Sequence, residues 1–207
     1  MKLTTEMMRL YAVTDRNWLR GQTLLEQVEQ ALVGGATLVQ LREKELDEDT
    51  FMREAVDMAK LCHRYGVPLL INDNVEIARR SGADGVHVGQ SDMACVEARK
   101  ALGERKVVGV SAQTVEQAVQ AEKDGADYLG VGAVFPTGSK DDADDVSHDT
   151  VKAICEAVSI PVIAYNFGAR NKKRMLDAIK VGMIIALSVM FVGLLLMQIF
   201  PGPALKM

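Results

Sequence analysis

Residues 68–88, PLLINDNVEIARRSGADGVHV, contain a complete strand–helix–strand unit, from which the fold class can be predicted. The apolar runs Pro68–Ile71 and Gly85–Val88 are predicted strands, and a helical pattern lies between them. The pair Gly82-Ala83 comes at the predicted end of this helix, where a glycine can take the left-handed conformation that terminates a helix. Two strands joined by one helix are typical of a parallel sheet covered by helices.

The same alternation continues along the chain on both sides of this unit. Five more apolar runs are predicted strands: Leu10–Thr14, Leu38–Leu41, Val107–Val110, Tyr128–Val134 and Pro161–Ala164. The helical patterns between strands include two apolar faces, formed by Phe51, Ala55, Met58, Ala59 and Cys62, and by Val151, Ile154, Cys155 and Val158. Thr114 and Gln117 have the spacing of a capping box at the start of a further helix.

Seven rounds of this alternation predict an α/β protein, and a weak repeat favours a (β/α)₈ TIM barrel. The pairs Gly35-Ala36, Gly82-Ala83 and Gly125-Ala126 recur at intervals of 47 and 43 residues, about two βα units each. A doubly wound open sheet would give the same alternation and is the alternative. No stretch resembles an interdomain linker, so residues 1–180 are predicted to form one barrel domain, followed by an apolar segment over residues 181–207.

Composition bounds the function. The 207 residues include 24 basic and 28 acidic ones, and the net charge of −4 gives no argument for binding nucleic acid or an acidic membrane. Residues 1–10 are too short and polar a stretch for a signal peptide. Cys62, Cys95 and Cys155 form no CxxC pair and are predicted to be buried thiols, which indicates a reducing, cytoplasmic location. Nothing in the sequence indicates an oligomeric state.

Polar residues gather where the predicted strands end. In chain order they are Gln40, Arg42 and Lys44, then Asn72 and Asp73, then His87, Gln90 and Asp92, then Ser111 and Gln113, and finally Thr137, Ser139 and Lys140. The carboxyl ends of parallel strands form one rim in a barrel, where such folds place their active sites. Helix capping would explain Ser, Thr or Asp at these positions, but not repeated Arg, Lys and Asn.

Two groups of charged residues on this rim suit a bound diphosphate. Gln40, Arg42 and Lys44 occupy alternate positions, so their side chains project to one side of an extended segment and can hold a polyanion. Asp73 and Asp92 follow neighbouring strands and can hold Mg²⁺, which favours one or two carboxylates together with phosphate oxygens and water. The alternatives are a solvated charged turn for the first group and helix capping for the two acids.

The segment Thr137-Gly-Ser-Lys140 has the hydroxyls, glycine and lysine of a phosphate-binding loop, although an ordinary polar turn has a similar composition. Ser111 and His87 do not follow a recognisable order for a Ser–His hydrolase, so that class is rejected. His87 is predicted to be structural or to line the substrate site.

Together these segments resemble the thiamine phosphate synthase family. The resemblance covers about residues 9–164 and is carried by LYAVTD (10–15), QLREK (40–44), ND (72–73), GVHVGQ (85–90) with Asp92, GVS (109–111) and GAVFPTGSK (132–140). It implies a TIM barrel that uses Mg²⁺ to join hydroxymethylpyrimidine diphosphate to a thiazole phosphate. It also implies a dissociative reaction, in which diphosphate leaves, a pyrimidine methylene cation forms and the thiazole nitrogen attacks it.

The resemblance implies a role for each matching residue. The pyrimidine diphosphate would be held by Gln40, Leu41, Arg42, Glu43, Lys44 and Asn72, with further contacts from Ser111 and Lys140. Asp73 and Asp92 would bind Mg²⁺ against its diphosphate, while Thr137, Gly138 and Ser139 would meet the thiazole phosphate. The predicted catalytic residues are Arg42, Lys44, Ser111 and Lys140, because the departing charge must be neutralised and no side-chain nucleophile is needed.

The end of the chain departs from the family pattern. The Gly-Gly turn and the Val-Ser contact that receive the thiazole phosphate in the family are not found, and Gly168 and Ser188 are the nearest candidates. Residues 165–207 are predicted to be a divergent eighth βα unit with a strand at Met183–Leu187, a replaced end, or a membrane anchor through the uncharged run Val181–Phe200. The alternatives in function are a relative that binds only the pyrimidine diphosphate, and a thiazole tautomerase.

Overall fold

The computed structural model of the protein describes residues 3–19, 21–134 and 146–164, over which parallel strands alternate with helices. The strands are β1 Tyr11–Val13, β2 Leu38–Leu41, β3 Leu69–Asn72, β4 Gly85–Val88, β5 Val107–Ala112, β6 Tyr128–Val131 and β7 Val162–Ala164. The helices are α1 Leu24–Val33, α2 Glu48–Arg64, α3 Val75–Arg80, α4 Cys95–Leu102, α5 Val115–Lys123 and α6 His148–Ala157, with a 3-10 turn at Arg16–Trp18. All the predicted strands are confirmed, and the longest change is in β6, which ends at Val131 and not at Val134.

The order of the strands separates a barrel from an open sheet. Each strand pairs in parallel with the next one in the chain, so the order is β1 to β7 without a reversal among the described strands. A doubly wound sheet must reverse its order at a switch point. The open-sheet alternative is therefore wrong, and the sequential order is that of a TIM-type barrel.

The sheet is strongly curled. The hydroxyl oxygens of Tyr11 on β1 and Tyr128 on β6 lie 2.7 Å apart. In a flat sheet these two strands would be about 24 Å apart, because neighbouring strands are separated by about 4.8 Å. The described strands therefore bend around a common interior as part of a barrel, while the predicted eighth strand at Met183–Leu187 lies outside the described residues.

The strands bury both faces, as a parallel sheet covered by helices requires. One face packs under the helices, where Val39, Leu41 and Ile71 meet the predicted apolar face of α2, and all three are fully buried. The other face forms a smaller inner cluster of Leu38, Leu70, Val107 and Tyr128. Because side chains alternate along a strand, the residues two positions after Leu38 and Leu70 also face the interior, nearer the carboxyl ends.

Local signals place the helix ends. The predicted glycines Gly35, Gly82 and Gly125 follow α1, α3 and α5 with φ angles of 97°, 87° and 90°, so the left-handed helix ends are confirmed. Thr114 caps α5 by accepting a bond from Gln117 N, but the Gln117 side chain accepts from Gln113 N, so only half of the predicted capping box forms.

Three predictions about buried or apolar segments have different outcomes. Cys62 and Cys95 are buried, but Cys155 is exposed, because the core-facing side of α6 is centred on Ile154. The prediction of three buried thiols is therefore wrong for Cys155, although all three cysteines are free. None of the described helices is long and apolar enough to cross a bilayer. The apolar run at 181–200, predicted as a candidate membrane anchor, lies outside the described residues.

Candidate active site

Within the described strands, the inner face of the curled sheet carries six polar side chains, of which Tyr11 and Tyr128 begin their strands and the other four lie nearer the carboxyl ends. The polar side chains found there are Tyr11 on β1, Gln40 on β2, Asn72 on β3, His87 on β4, Ser111 on β5 and Tyr128 on β6. Gln40, Asn72 and His87 are at most 8% exposed. Buried polar groups need hydrogen-bond partners, so the pairing of these side chains determines what the interior can do.

Five of these side chains form one continuous hydrogen-bonded chain across the interior. Gln40 Nε2 donates to the Tyr11 hydroxyl over 2.6 Å, and the Tyr11 and Tyr128 hydroxyls lie 2.7 Å apart. His87 then bridges the Tyr128 hydroxyl, 2.8 Å from Nδ1, and Ser111 Oγ, 3.0 Å from Nε2. Two predicted site residues on different strands, Gln40 and Ser111, are therefore connected through Tyr11, Tyr128 and His87.

Two glycines make room for the rings of this chain. A Cβ atom at Gly109 would overlap the Tyr128 ring, and one at Gly130 would lie 2.9 Å from His87 Cε1. Glycine weakens a strand interior and often marks such a close approach. Burial raises the pKa of Tyr128 well above its ordinary value, so this hydroxyl keeps its proton.

The sequence did not indicate that Ser111 and His87 would meet, because 24 residues separate them. The hydrogen bond between Ser111 and His87 resembles the bond between the nucleophile and the general base in a Ser–His hydrolase. However, His87 Nδ1 faces the Tyr128 hydroxyl, where a Ser–His–Asp triad has a carboxylate that stabilises the imidazolium. The geometry therefore supports the prediction that His87 is structural or lines the substrate site, and it does not support a hydrolase.

The chain turns sharply after β3 and gives Asp73 an unusual backbone. Asn74 N donates to Asn72 O over 2.8 Å, which closes a three-residue turn around Asp73. The φ angle of Asp73 is +64°, the only positive φ of a non-glycine residue in the described ranges. A second bond, from Asp73 N to His87 O over 2.8 Å, holds this turn against β4. Strained backbone of this kind clusters at functional sites.

Neither predicted metal ligand caps a helix. The N-cap of α3 is Asn74, whose side chain accepts from Ile77 N, and the N-cap of α4 is Ala94. Asp92 instead accepts a 2.6 Å bond from Gly89 N in the turn after β4. The helix-capping alternative for the two acids is therefore wrong.

The two acids and two bases of the rim act on one another. The pKa of Asp73 is raised to about 6, first by burial and then by the hydrogen bond and charge of Asp92. The positive charges of Lys44 and Arg42 act in the opposite direction on the same carboxyl group. The two neighbouring carboxyl groups repel each other when both are ionised, so they suit a divalent cation such as Mg²⁺. The two positive side chains beside them suit a polyanion such as a diphosphate.

An open cavity of about 450 Å³ lies beside Asp73. Its lining includes Lys44, Asn72, Asp73 and Met93. A cavity of this size can take a small organic ligand. Among the described residues, no group of three or more His, Cys, Asp or Glu side chains has the arrangement of a complete metal centre, so ligand oxygens or water would have to supply the remaining positions.

Side chains in the Gln40–Lys44 segment point alternately to opposite sides, so Leu41 and Glu43 face away from Gln40. Leu41 is fully buried in the core beneath the helices, away from the inner face. The Glu43 side chain is 3% exposed and accepts a 2.8 Å ion pair from Arg16, which also binds Glu54. The structure therefore does not bring the side chains of Leu41 and Glu43 to the polar cluster, although Glu43 lines the edge of the cavity.

The remaining predicted positions fall into two groups. Gln90 Nε2 donates to Ser111 O over 2.5 Å and so ties the turn after β4 to β5. Thr137, Gly138, Ser139 and Lys140, together with Gly168 and Ser188, lie outside the described residues. Their phosphate contacts stay predictions.

The fold and the site define the class of this protein: a barrel-type α/β enzyme with a polar rim that suits a phosphorylated small molecule. Residues 10–187 match the family described as thiamine monophosphate synthase. The chain belongs to this family. The match reaches beyond residue 164, where the resemblance visible in the sequence motifs ended.

Individual relatives agree with this membership. A thiamine-phosphate synthase of Clostridium tetani is 50% identical over 155 residues, covering 75% of this chain and 74% of the relative. One of Clostridium botulinum is 46% identical over 168 residues, covering 81% and 78%. A solved structure, a thiamine phosphate pyrophosphorylase from Pyrococcus furiosus, is 35% identical with a TM-score of 0.70 and covers 78% of this chain and 76% of its own.

Proposed function

We propose that this chain is a thiamine phosphate synthase, a transferase that moves the hydroxymethylpyrimidine group from its diphosphate to the nitrogen of a thiazole phosphate. The observation that carries the proposal is the interaction of Asp73 with Asp92, Lys44 and Arg42 at the rim of a chain that belongs to this family. Its substrates are small phosphorylated molecules. The buried free thiols of Cys62 and Cys95 suit a reducing, cytoplasmic setting.

The leaving diphosphate is the group that this site must stabilise. Arg42 can hold its oxygens with a planar fork of donors, whereas Lys44 contributes a mobile point charge. Asn72, which is 8% exposed on the inner face, can donate from its amide beside them. In a dissociative reaction negative charge grows on the departing group, so cations fixed in advance lower the barrier.

Asp73 and Asp92 would hold Mg²⁺. Their fit to the ion rests on the paired carboxylates and on the raised pKa of Asp73, because a dication would offset both the burial and the repulsion from Asp92 that raise this pKa. When bound, Mg²⁺ supplies positive charge to the diphosphate. The chain's part is to hold the two carboxylates in place, which it does through the turn at Asp73 and the Gly89–Asp92 bond.

No side-chain nucleophile is needed in this reaction, since the thiazole nitrogen attacks the pyrimidine methylene carbon. Ser111 would contact the pyrimidine substrate from the inner face, and Lys140 from the segment between β6 and α6. Thr137, Gly138 and Ser139 would receive the thiazole phosphate. These roles rest on the resemblance to the family.

The direct test is synthesis of thiamine phosphate. Purified protein with both phosphorylated substrates and Mg²⁺ should form it, as measured by chromatography. Arg42→Ala and Asp73→Ala should each lower kcat/KM by about 100-fold or more, the scale of losing one electrostatic contact to the transition state. Arg105→Ala, outside the proposed site, is the control and should retain activity. A folded wild-type protein that gives no product would refute the proposal.

The altered sequence at Tyr165–Arg170 favours one second candidate, a relative that binds the pyrimidine diphosphate but not the thiazole phosphate. Calorimetry with each substrate separates the two functions. Binding of both supports the synthase, and binding of the first alone supports the second candidate. The relatives named above are synthases, so the thiazole tautomerase alternative gains no support from them.

A further inference from the structure

The hydrogen-bonded chain across the interior has a direction. At one end Gln40 Nε2 is a donor, so the Tyr11 oxygen must accept. At the other end His87 has two ring nitrogens, and a neutral imidazole carries its proton on only one of them. The proton therefore lies either on Nε2, facing Ser111, or on Nδ1, facing Tyr128.

The two arrangements of the proton differ in which tyrosine hydroxyl donates and which accepts. With the proton on Nε2, Tyr11 donates to Tyr128 and Tyr128 donates to Nδ1, so the bonds run in one direction from Gln40 to Ser111. With the proton on Nδ1, Tyr128 donates back to Tyr11, whose oxygen then accepts from both Tyr128 and Gln40. Bonds that run in one direction polarise and strengthen one another, so the first arrangement is favoured.

We infer that Tyr128 is a positioning residue, which fixes the proton of His87 on Nε2 so that the Ser111 hydroxyl donates to the bound substrate. Ser111 Oγ accepts the bond from His87 Nε2 and turns its own proton away from the ring. It then recognises an acceptor atom of the ligand, a ring nitrogen or a phosphate oxygen, in preference to an amino group. This inference rests on the proposed function, which brings the pyrimidine diphosphate to Ser111.

Burial explains why Tyr128 acts through His87. Tyr128 is 0% exposed, and its ring fills the space that Gly109 leaves open, so it does not reach the cavity itself. His87 is packed against this ring, with centroids 5.4 Å apart, and against Gly130. A ring held on two sides cannot turn to exchange its nitrogens, so the tautomer decides which way Ser111 points.

The first test measures the tautomer directly. The nitrogen NMR spectrum of protein labelled at its three histidines should show His87 neutral at pH 8 with the proton on Nε2, with assignment by His63→Gln and His148→Gln variants. Tyr128→Phe keeps the ring but removes the donor, and should increase the form with the proton on Nδ1. Tyr65→Phe removes an exposed hydroxyl that bonds Glu29 and should change nothing. A wild-type His87 protonated on Nδ1 would overturn the inference.

The second test asks whether Tyr128 acts through Ser111. Calorimetry with the pyrimidine diphosphate should show about 5-fold weaker binding for Tyr128→Phe, the scale of one hydrogen bond. In a Ser111→Ala background the same substitution should have no further effect, because the group it positions is gone. Independent, additive losses would contradict the inference. If the wild type does not bind this substrate, the proposed function fails, while the tautomer measurement still decides the positioning role.

Discussion

Asp73 combines a left-handed backbone with a half-buried carboxyl group beside a second carboxylate. Both features are unfavourable, and the backbone conformation is held by bonds to β3 and β4. A non-glycine residue is rarely left in such a conformation unless the surroundings enforce it. The turn therefore fixes the direction in which the side chain of Asp73 leaves the backbone, which helps to orient a metal ligand.

The raised pKa of Asp73 predicts how Mg²⁺ binding depends on pH. The ion binds the carboxylate, so its affinity should be full above about pH 6 and should fall by up to about tenfold per pH unit below it. The folded protein also holds this proton more tightly than the unfolded chain, so the contribution of Asp73 to stability decreases as pH rises from about 4 to about 6. Titration of Mg²⁺ into substrate-free protein from pH 5 to 8 measures the first effect.

Asp73→Asn is the matched control for this titration, since asparagine also tolerates a positive φ. It should weaken Mg²⁺ binding at pH 8 and remove the step near pH 6. An affinity that is independent of pH in the wild type would contradict the assignment of Asp73 as a ligand.

Gly109 gives a prediction about packing at a single residue. Gly109→Ala places a methyl group in the volume of the Tyr128 ring, inside a sheet that cannot move aside. We expect a loss of about 3 kcal/mol in the free energy of unfolding, the upper range for overpacking a core. Urea denaturation measures it. Gly34→Ala, at the C-cap of α1 where φ is −72°, is the control and should cost far less, because the nearest atom to the new methyl group is 3.3 Å away.

Some residues of the site could be predicted from the alternation of side chains along a strand, and others could not. Alternation predicted that Gln40 projects to one side with Arg42 and Lys44, and Gln40 does lie on the inner face, whereas Leu41, predicted to hold the substrate, is buried on the outer face. The same rule applied to β1 and β6 would have placed Tyr11 and Tyr128 inside, but their contact depends on the curl of five intervening strand spacings. No local pattern encodes that distance, so the hydrogen-bonded chain was missed.

At the scale of elements, the helix ends are the most predictable part of the fold. The repeated glycines after α1, α3 and α5 and the cap at Thr114 follow from short-range geometry. Strand bounds were less accurate because pairing sets them: β5 continues to Ala112 since it pairs there with Val131 of β6. Exposure of Cys155 was missed because a short amphipathic pattern does not fix the edge of the buried face.

The start of α1 is stabilised by its N-terminal cap. Thr23 accepts from Glu26 N over 3.2 Å, and the Glu26 side chain binds Thr23 N over 2.8 Å, which forms a complete capping box. Thr23→Ala should lower the free energy of unfolding by about 1 kcal/mol, as measured by urea denaturation. Thr23→Ser keeps the acceptor and should retain most of the stability. Equal losses in both variants would show that the cap is not the cause.

At the scale of the molecule, the two ends of the strands have different tasks. The carboxyl ends carry Gln40, Asn72, His87 and Ser111 on the inner face, and the acids of the rim. The amino ends carry bonds that join one βα unit to the next: Asp84 accepts from Leu69 N, and Lys106 donates to the carbonyls of Ala78 and Ala83. This division is general in barrels, where the amino-terminal face serves stability and the carboxyl-terminal face serves chemistry.

Arg99 on α4 is the strongest of these amino-end connections. Its guanidinium binds Asp127 over 2.6 Å and the carbonyl oxygens of Gly103, Lys106 and Gly125, so one side chain ties α4 to the segments that enter β5 and β6. The side chain is only 13% exposed. Its removal leaves several of these acceptors without their donor, which is costly when they are shielded from water.

Arg99→Ala should therefore lower the free energy of unfolding by about 3 kcal/mol, as expected for breaking a shielded ion pair, yet leave KM for the pyrimidine diphosphate unchanged. Arg42→Ala should do the reverse, with a large loss of kcat/KM and a midpoint of urea denaturation close to that of the wild type. Steady-state kinetics at a temperature where both variants are folded, together with urea denaturation, separate the two effects. If Arg99→Ala raised KM as much as Arg42→Ala does, the amino ends would be coupled to the site, and the division of tasks between the two ends of the strands would be wrong for this protein.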